Sequence, residues 1–136
     1  MDDARLWNIG MRVADVAAES AYFQALGAKL RLHEKLTTPD GEFEYALLDF
    51  AGTRLFLSPK TVFEHRLPSV PPDGLTHAVF EVSDLDKELD RLAALGTEVL
   101  VAPIEISAGI GSRRLAFCRS PGGLVFEVMQ IYESLV

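Results

Sequence analysis

The sequence predicts an α+β fold built from two tandem βαβββ modules. Three observations carry that prediction. Val13, Asp15, Leu26 and Gly27 recur 69 positions later as Val82, Asp84, Leu95 and Gly96, with no gap between them. Further along, Gly52 in FAGTRLFL matches Gly123 in PGGLVFEV at a separation of 71, so the second copy carries two extra residues in its middle loops. Finally, 136 residues, 49% of them hydrophobic, suffice for one domain whose core both copies share. The modules are expected at about 5–59 and 74–132, joined by a linker over 60–73 that carries Pro68, Pro71 and Pro72.

Each copy opens on a strand: LWNIGMRV and LTHAVFEV have the alternating, β-branched character of one. Asp15 and Asp84 follow where a carboxylate caps a helix by accepting the orphan amide hydrogens of its first turn. In the second helix Leu85, Leu89, Leu92 and Leu95 form the apolar stripe of a helix lying on a sheet, and Val16, Ser20, Phe23 and Leu26 take the matching places in the first. Gly27 and Gly96 end both helices, where a left-handed cap favours a residue without a Cβ. Three strands close each copy. In the first they are AKLRLHEKL, FEYALLDF and TRLFLSP, joined at PDGE and AG; in the second, EVLVAPIEI, RRLAFCR and LVFEVMQIY, joined at AGIGS and PGG. The AGIGS segment, Ala108 to Ser112, reads either as a plain hairpin connection or as a mobile flap.

A net charge of -7, with 13 Lys and Arg scattered along the chain, argues against a nucleic-acid partner. No run of about 18 apolar residues offers a membrane span, and MDDARLW carries acids where a secretory leader carries bases. A soluble cytoplasmic protein is expected. The single Cys118, inside the apolar run LAFC, is expected to be a buried and inert thiol. MQIYESLV would expose Ile131, Tyr132, Leu135 and Val136 on a lone chain, so a homodimer is expected.

The doubled module, the V-x-D caps, the helix-ending L-G pairs and the closing SPGGLVFEVMQ resemble the vicinal oxygen chelate superfamily, which includes glyoxalase I, bleomycin-resistance proteins and extradiol dioxygenases. The resemblance runs from about Leu6 to Tyr132. It implies a mixed sheet curved into a cup, with metal ligands on the first and last strands of a module. Carried over, those positions are Asn8 and His77 on the first strands and Phe56 and Glu127 on the last, and the repeat pairs the same residues. His77 and Glu127 are firm ligands, Asn8 offers a weak amide oxygen, and Phe56 offers nothing. The implied cofactor is a divalent ion, zinc, nickel, manganese or iron, held by His77, Glu127 and Asn8. The four-ligand site of a lactoylglutathione lyase is not reproduced.

Other readings of the same residues stay open. A histidine opening a strand also serves as a hydrogen-bonded core residue, and a carboxylate inside LVFEVM also survives beside an arginine. Arg12 and Glu81, themselves 69 apart, either pair with one another across the pseudo-twofold or act in catalysis beside Glu127 as base or anchor. By alternation Phe56, Phe117, Arg119 and Met129 face inward, and with Tyr45 they make a ligand-binding wall, or simply packing between sheets. Two functions follow. One is a metal-assisted lyase, isomerase or oxygenase acting on a small molecule. The other is a metal-free protein that binds or sequesters one in the aromatic cup.

Overall fold

The computed structural model describes residues 1–136. The first module consists of β1 (Arg5–Arg12), α1 (Val16–Ala25), β2 (Lys29–Thr38), β3 (Gly41–Phe50) and β4 (Thr53–Ser58). The second consists of β5 (Gly74–Glu81), α2 (Leu85–Ala94), β6 (Glu98–Ala108), β7 (Gly111–Arg119) and β8 (Val125–Ser134). Both helices start at their aspartates: Asp15 accepts the Ala18 amide at 3.0 Å, and Asp84 that of Lys87 at 3.1 Å. Both stop before glycines held at φ 106° and 81°, Gly27 and Gly96. The apolar stripe is shorter than the spacing suggests. Leu85 is fully buried and Leu89 and Leu92 pack on the core, but Leu26 and Leu95 are exposed. These two are the C-caps, past the last helical turn, where the helical period no longer sets the direction of a side chain.

All eight strands form one sheet in the order β2-β3-β4-β1-β5-β8-β7-β6. Within each module the first strand runs parallel to the last, β1 beside β4 and β5 beside β8. The modules meet where β1 and β5 pair antiparallel. The sheet is curled into a half-barrel. Its concave face carries the main core, with Tyr45 and Leu47 of β3 among it, while the alternate residues Ala46 and Leu48 lie beneath α1 on the convex face. On that outer face α2 covers Val128 and Cys118. The curl brings the two ends of the sheet together: Glu34 on β2 accepts the amide of Gly109, beside the end of β6, at 2.8 Å.

That contact decides the AGIGS segment. Gly109 and Ile110 form a two-residue hairpin turn between Ala108 and Gly111, which is the plain connection and not a free flap. Ile110 is buried in the main core and its carbonyl accepts the Leu135 amide at 3.1 Å.

The segment between the modules packs against the concave face. Phe63 is buried in the main core, and a single 3-10 turn follows at Glu64–Arg66. Arg12, at the end of β1, fastens this segment at two points, to Glu64 of the 3-10 turn at 3.3 Å and to Asp73 just before β5 at 2.7 Å. Of the C-terminal apolar residues, Ile131 and Val136 pack on the core and only Tyr132 and Leu135 are exposed. No helix is long and apolar enough to cross a membrane.

Candidate functional site

The concave face holds a narrow cavity of about 50 Å³ with a mainly apolar lining. Asn8 on β1, Phe56 on β4, His77 on β5 and Glu127 on β8 all line it. The four positions that the repeat pairs therefore converge on one cavity across the seam between modules.

Two β-bulges shape its floor. In the β1–β5 register Asn8 faces Val79 and Gly10 faces His77, while Trp7 and Thr76 have no partner. Trp7 and Thr76 are themselves 69 apart, so each module inserts one extra residue at the same place. An extra residue breaks the alternation of faces. Trp7 and Asn8 accordingly both line the cavity, as do Thr76 and His77.

The bulge at Thr76 fixes the state of His77. The Thr76 hydroxyl donates to the Gly10 carbonyl at 2.9 Å and lies 2.9 Å from His77 Nδ1. A hydroxyl has one proton. Since it is spent on Gly10, Nδ1 must carry a hydrogen and donate it to Thr76. In the neutral ring the lone pair then belongs to Nε2, and Nε2 lies 3.8 Å from Glu127 Oε1. Phe63 and Phe117 meet the ring edge-on at 5.0 and 5.6 Å and hold it in place. Room for the imidazole comes from Gly10: a Cβ there would overlap the ring, at 2.6 Å from Nδ1.

Glu127 is buried, 8% exposed, and no protein group donates a hydrogen bond to it. Phe56 stands in the fourth position, and its ring stacks flat on Tyr45 at 4.7 Å. Tyr45 lies behind Phe56, fully buried, donating to Glu34 Oε1 at 2.6 Å. Burial, together with that bond, holds its phenol well above the ordinary range.

Phe117 and Met129 line the cavity as alternation predicts. Arg12, Glu81 and Arg119 do not. Arg12 is engaged with Glu64 and Asp73 rather than Glu81. Glu81 ends β5 outside the lining, close enough for its charge to act on Arg113. Arg119 follows Phe117 on the same face but ends β7 beside the PGG turn, in a separate polar recess with Glu98 and Ser120. Alternation gives the face of a residue; it does not tell how far along the strand the cavity extends.

The structure adds Trp7, Thr76, Lys60 and Arg113 to the lining. Arg113 is 2% exposed. Burial lowers its pKa, opposed by the charge of Glu127. Its guanidinium lies 4.5 Å from the Trp7 ring centre, and that of Arg54 lies 4.3 Å from the same ring. Alternation from Phe117 reaches Arg113 as directly as it reaches Arg119. Nothing in the sequence marks the bulges that expose Trp7 and Thr76 to the cavity.

Among curated proteins no match was found. Among solved structures, a hypothetical protein, BH1468 from Bacillus halodurans C-125, superposes with a TM-score of 0.73 at 18% identity, covering 97% of both chains. Methylmalonyl-CoA epimerase from Mycobacterium tuberculosis gives 0.71 at 23% identity over 94% of this chain and 88% of its own. A 4-hydroxymandelate synthase variant from Streptomyces coelicolor gives 0.71 at 15% identity over 96% of this chain and 49% of its own. Neighbours so distant in sequence establish the fold alone. The family model for the Glyoxalase/Bleomycin resistance protein/Dioxygenase superfamily goes further, matching residues 5–128, and by that match the chain belongs to this superfamily.

Proposed function

We propose that the cup binds a small organic molecule and that His77 and Glu127 carry its chemistry, as a metal-assisted isomerase, lyase or oxygenase distinct from a lactoylglutathione lyase. The observation that supports this reading is the bare pair at the floor. His77 Nε2 offers a lone pair and Glu127 a carboxylate without a donor, 3.8 Å apart. That gap is too long for a hydrogen bond and within the roughly 3–4 Å that separates two ligands of one divalent ion. The donor set fits a loosely held ion: two firm ligands and the neutral amide of Asn8, with Phe56 closing the fourth position. No third ionisable ligand stands with them.

When bound, a zinc, nickel, manganese or iron ion would supply Lewis-acid polarisation of a carbonyl or of vicinal oxygens. The chain's own residues do the rest. Thr76 locks the His77 tautomer, so that the ring presents Nε2 and no other atom. Glu127, next to an apolar wall, is placed to take a proton from a ligand. Phe56, Phe117 and Met129 exclude water and hold an apolar body. An epimerase among the structural neighbours, solved in complex with methylmalonyl-CoA, and the dioxygenases in the superfamily's own description are in keeping with this class of chemistry.

A second reading, metal-free sequestration, draws on Phe56. Its stacking on Tyr45 turns a ligand position into aromatic wall. Calorimetric titration of the wild type and His77→Ala with Zn²⁺ and Mn²⁺ separates the two. Weak binding that disappears in His77→Ala is expected; identical heats in both proteins would remove the metal and leave the sequestering cup.

A further inference from the structure

Arg113 is the charge in the cavity to which the fold gives no hydrogen-bonded counter-charge. It lies on β7, on the same face as Leu115 and Phe117, and lines the cavity with them. Its hydrogen bonds go to the Met129 sulfur at 3.2 Å and the Ile110 carbonyl at 2.9 Å, both uncharged acceptors. A guanidinium has five N–H donors. Two are spent here, and Nε–H, fully buried, is among those without a partner. A buried cation left in this state is costly unless an anion meets it. Trp7 gives it an aromatic face, and Glu127 acts on it only at a distance. The lining as a whole repeats the imbalance. Its ionisable groups besides His77 are Lys60, Arg113 and Glu127, two cations to one carboxylate, in a chain whose net charge is -7.

We infer that Arg113 is the anchor for a carboxylate of the ligand, so that the cup takes small apolar carboxylic acids as their anions. The fork of a guanidinium matches the two oxygens of a carboxylate, and the water-poor setting strengthens the bond. The apolar body then lies among Phe56, Phe117 and Ile106. This inference rests on the reading of the cup as a small-molecule site and names the class of molecule.

Trp7 is the only tryptophan and lies under the guanidinium, so its fluorescence reports directly on Arg113. The experiment titrates the protein with phenylacetate and butyrate, each against its neutral amide. The acids are expected to bind at least about tenfold more tightly than the amides. Arg113→Met, which keeps the volume without the charge, is expected to erase that preference, while Arg113→Lys keeps part of it. Acid and amide binding equally to the wild type would overturn the anchor and leave the small-molecule cup standing. Neither binding at about 10 mM would overturn the anchor as well, and the metal titration then decides separately what remains of the proposed function. The wild-type comparison decides the matter even if Arg113→Met does not fold.

Discussion

His77 occupies the space that Gly10 leaves by having no side chain. The two face each other across the module seam, and a Cβ on Gly10 would lie 2.6 Å from Nδ1 of the ring. Glycine in a strand ordinarily weakens it, so a change to alanine is ordinarily favourable. Here the sign reverses. Gly10→Ala is expected to lose about 1–3 kcal/mol through overpacking, and to shift the His77 ring signals in an NMR spectrum. A variant as stable as the wild type, with unmoved ring signals, would contradict the packing described.

The same geometry governs the other half of the seam. Asn8 faces Val79, at the place equivalent to Gly10 facing His77. A histidine introduced at position 8 alone therefore meets the valine as His77 would meet a Cβ. Asn8→His is expected to gain little metal affinity by itself. The pair Asn8→His with Val79→Gly is expected to bind Zn²⁺ at least about tenfold more tightly than the wild type, having three firm ligands. Calorimetry on all three proteins checks this; a double variant no tighter than the wild type counts against the shared site.

Tyr45 and Gly109 share one acceptor, Glu34, and through it the two ends of the half-barrel are held together. Tyr45→Phe is expected to cost about 1–2 kcal/mol near neutral pH. Because the folded phenol titrates above its unfolded value of 10.0, the fold holds that proton more tightly. Its stabilisation is complete below pH 10 and falls as the pH rises above it. Urea denaturation at about pH 7 and about pH 11 should show the gap between wild type and variant narrowing; a constant gap would disprove the linkage.

Cys118 is buried beneath α2, and burial pushes its thiol up to about 11. A thiol reagent at about pH 8 is expected to react only after denaturant is added. Prompt reaction of the folded protein would show that the α2 face opens.

Tyr132 and Leu135 remain exposed on a single chain. Sedimentation at micromolar concentration is expected to give a homodimer, and a stable species near 14.9 kDa would exclude it.

Much of this architecture is legible in the sequence because duplication writes it twice. Asp15 and Asp84, Gly27 and Gly96 mark the same helix ends 69 residues apart, and alternation correctly sorts Tyr45 and Leu47 from Ala46 and Leu48. What escapes is what alternation has no means to express. A bulge adds a residue without changing composition, so Trp7 and Thr76 give no sign that they join the cavity. The tautomer of His77 depends on one of them. Phe63 lies in a segment without periodicity, and its place in the core is set by tertiary packing and by the clasp of Arg12 on Glu64 and Asp73. Arg12 reads as a candidate for chemistry for the same reason: its partners lie more than fifty residues away.

The position of β1 between β4 and β5 has a kinetic corollary. Hairpins such as β2–β3 and β6–β7 join neighbours in sequence and close cheaply, whereas the strand at the seam must wait for two partners brought in over long loops. Refolding should therefore run from the wings inward, with the seam closing last. A chain cut between the modules would give two fragments that each show an unpaired, largely apolar strand to solvent. Such fragments have every reason to find each other, and the same surfaces favour off-pathway association when whole chains are refolded at high concentration.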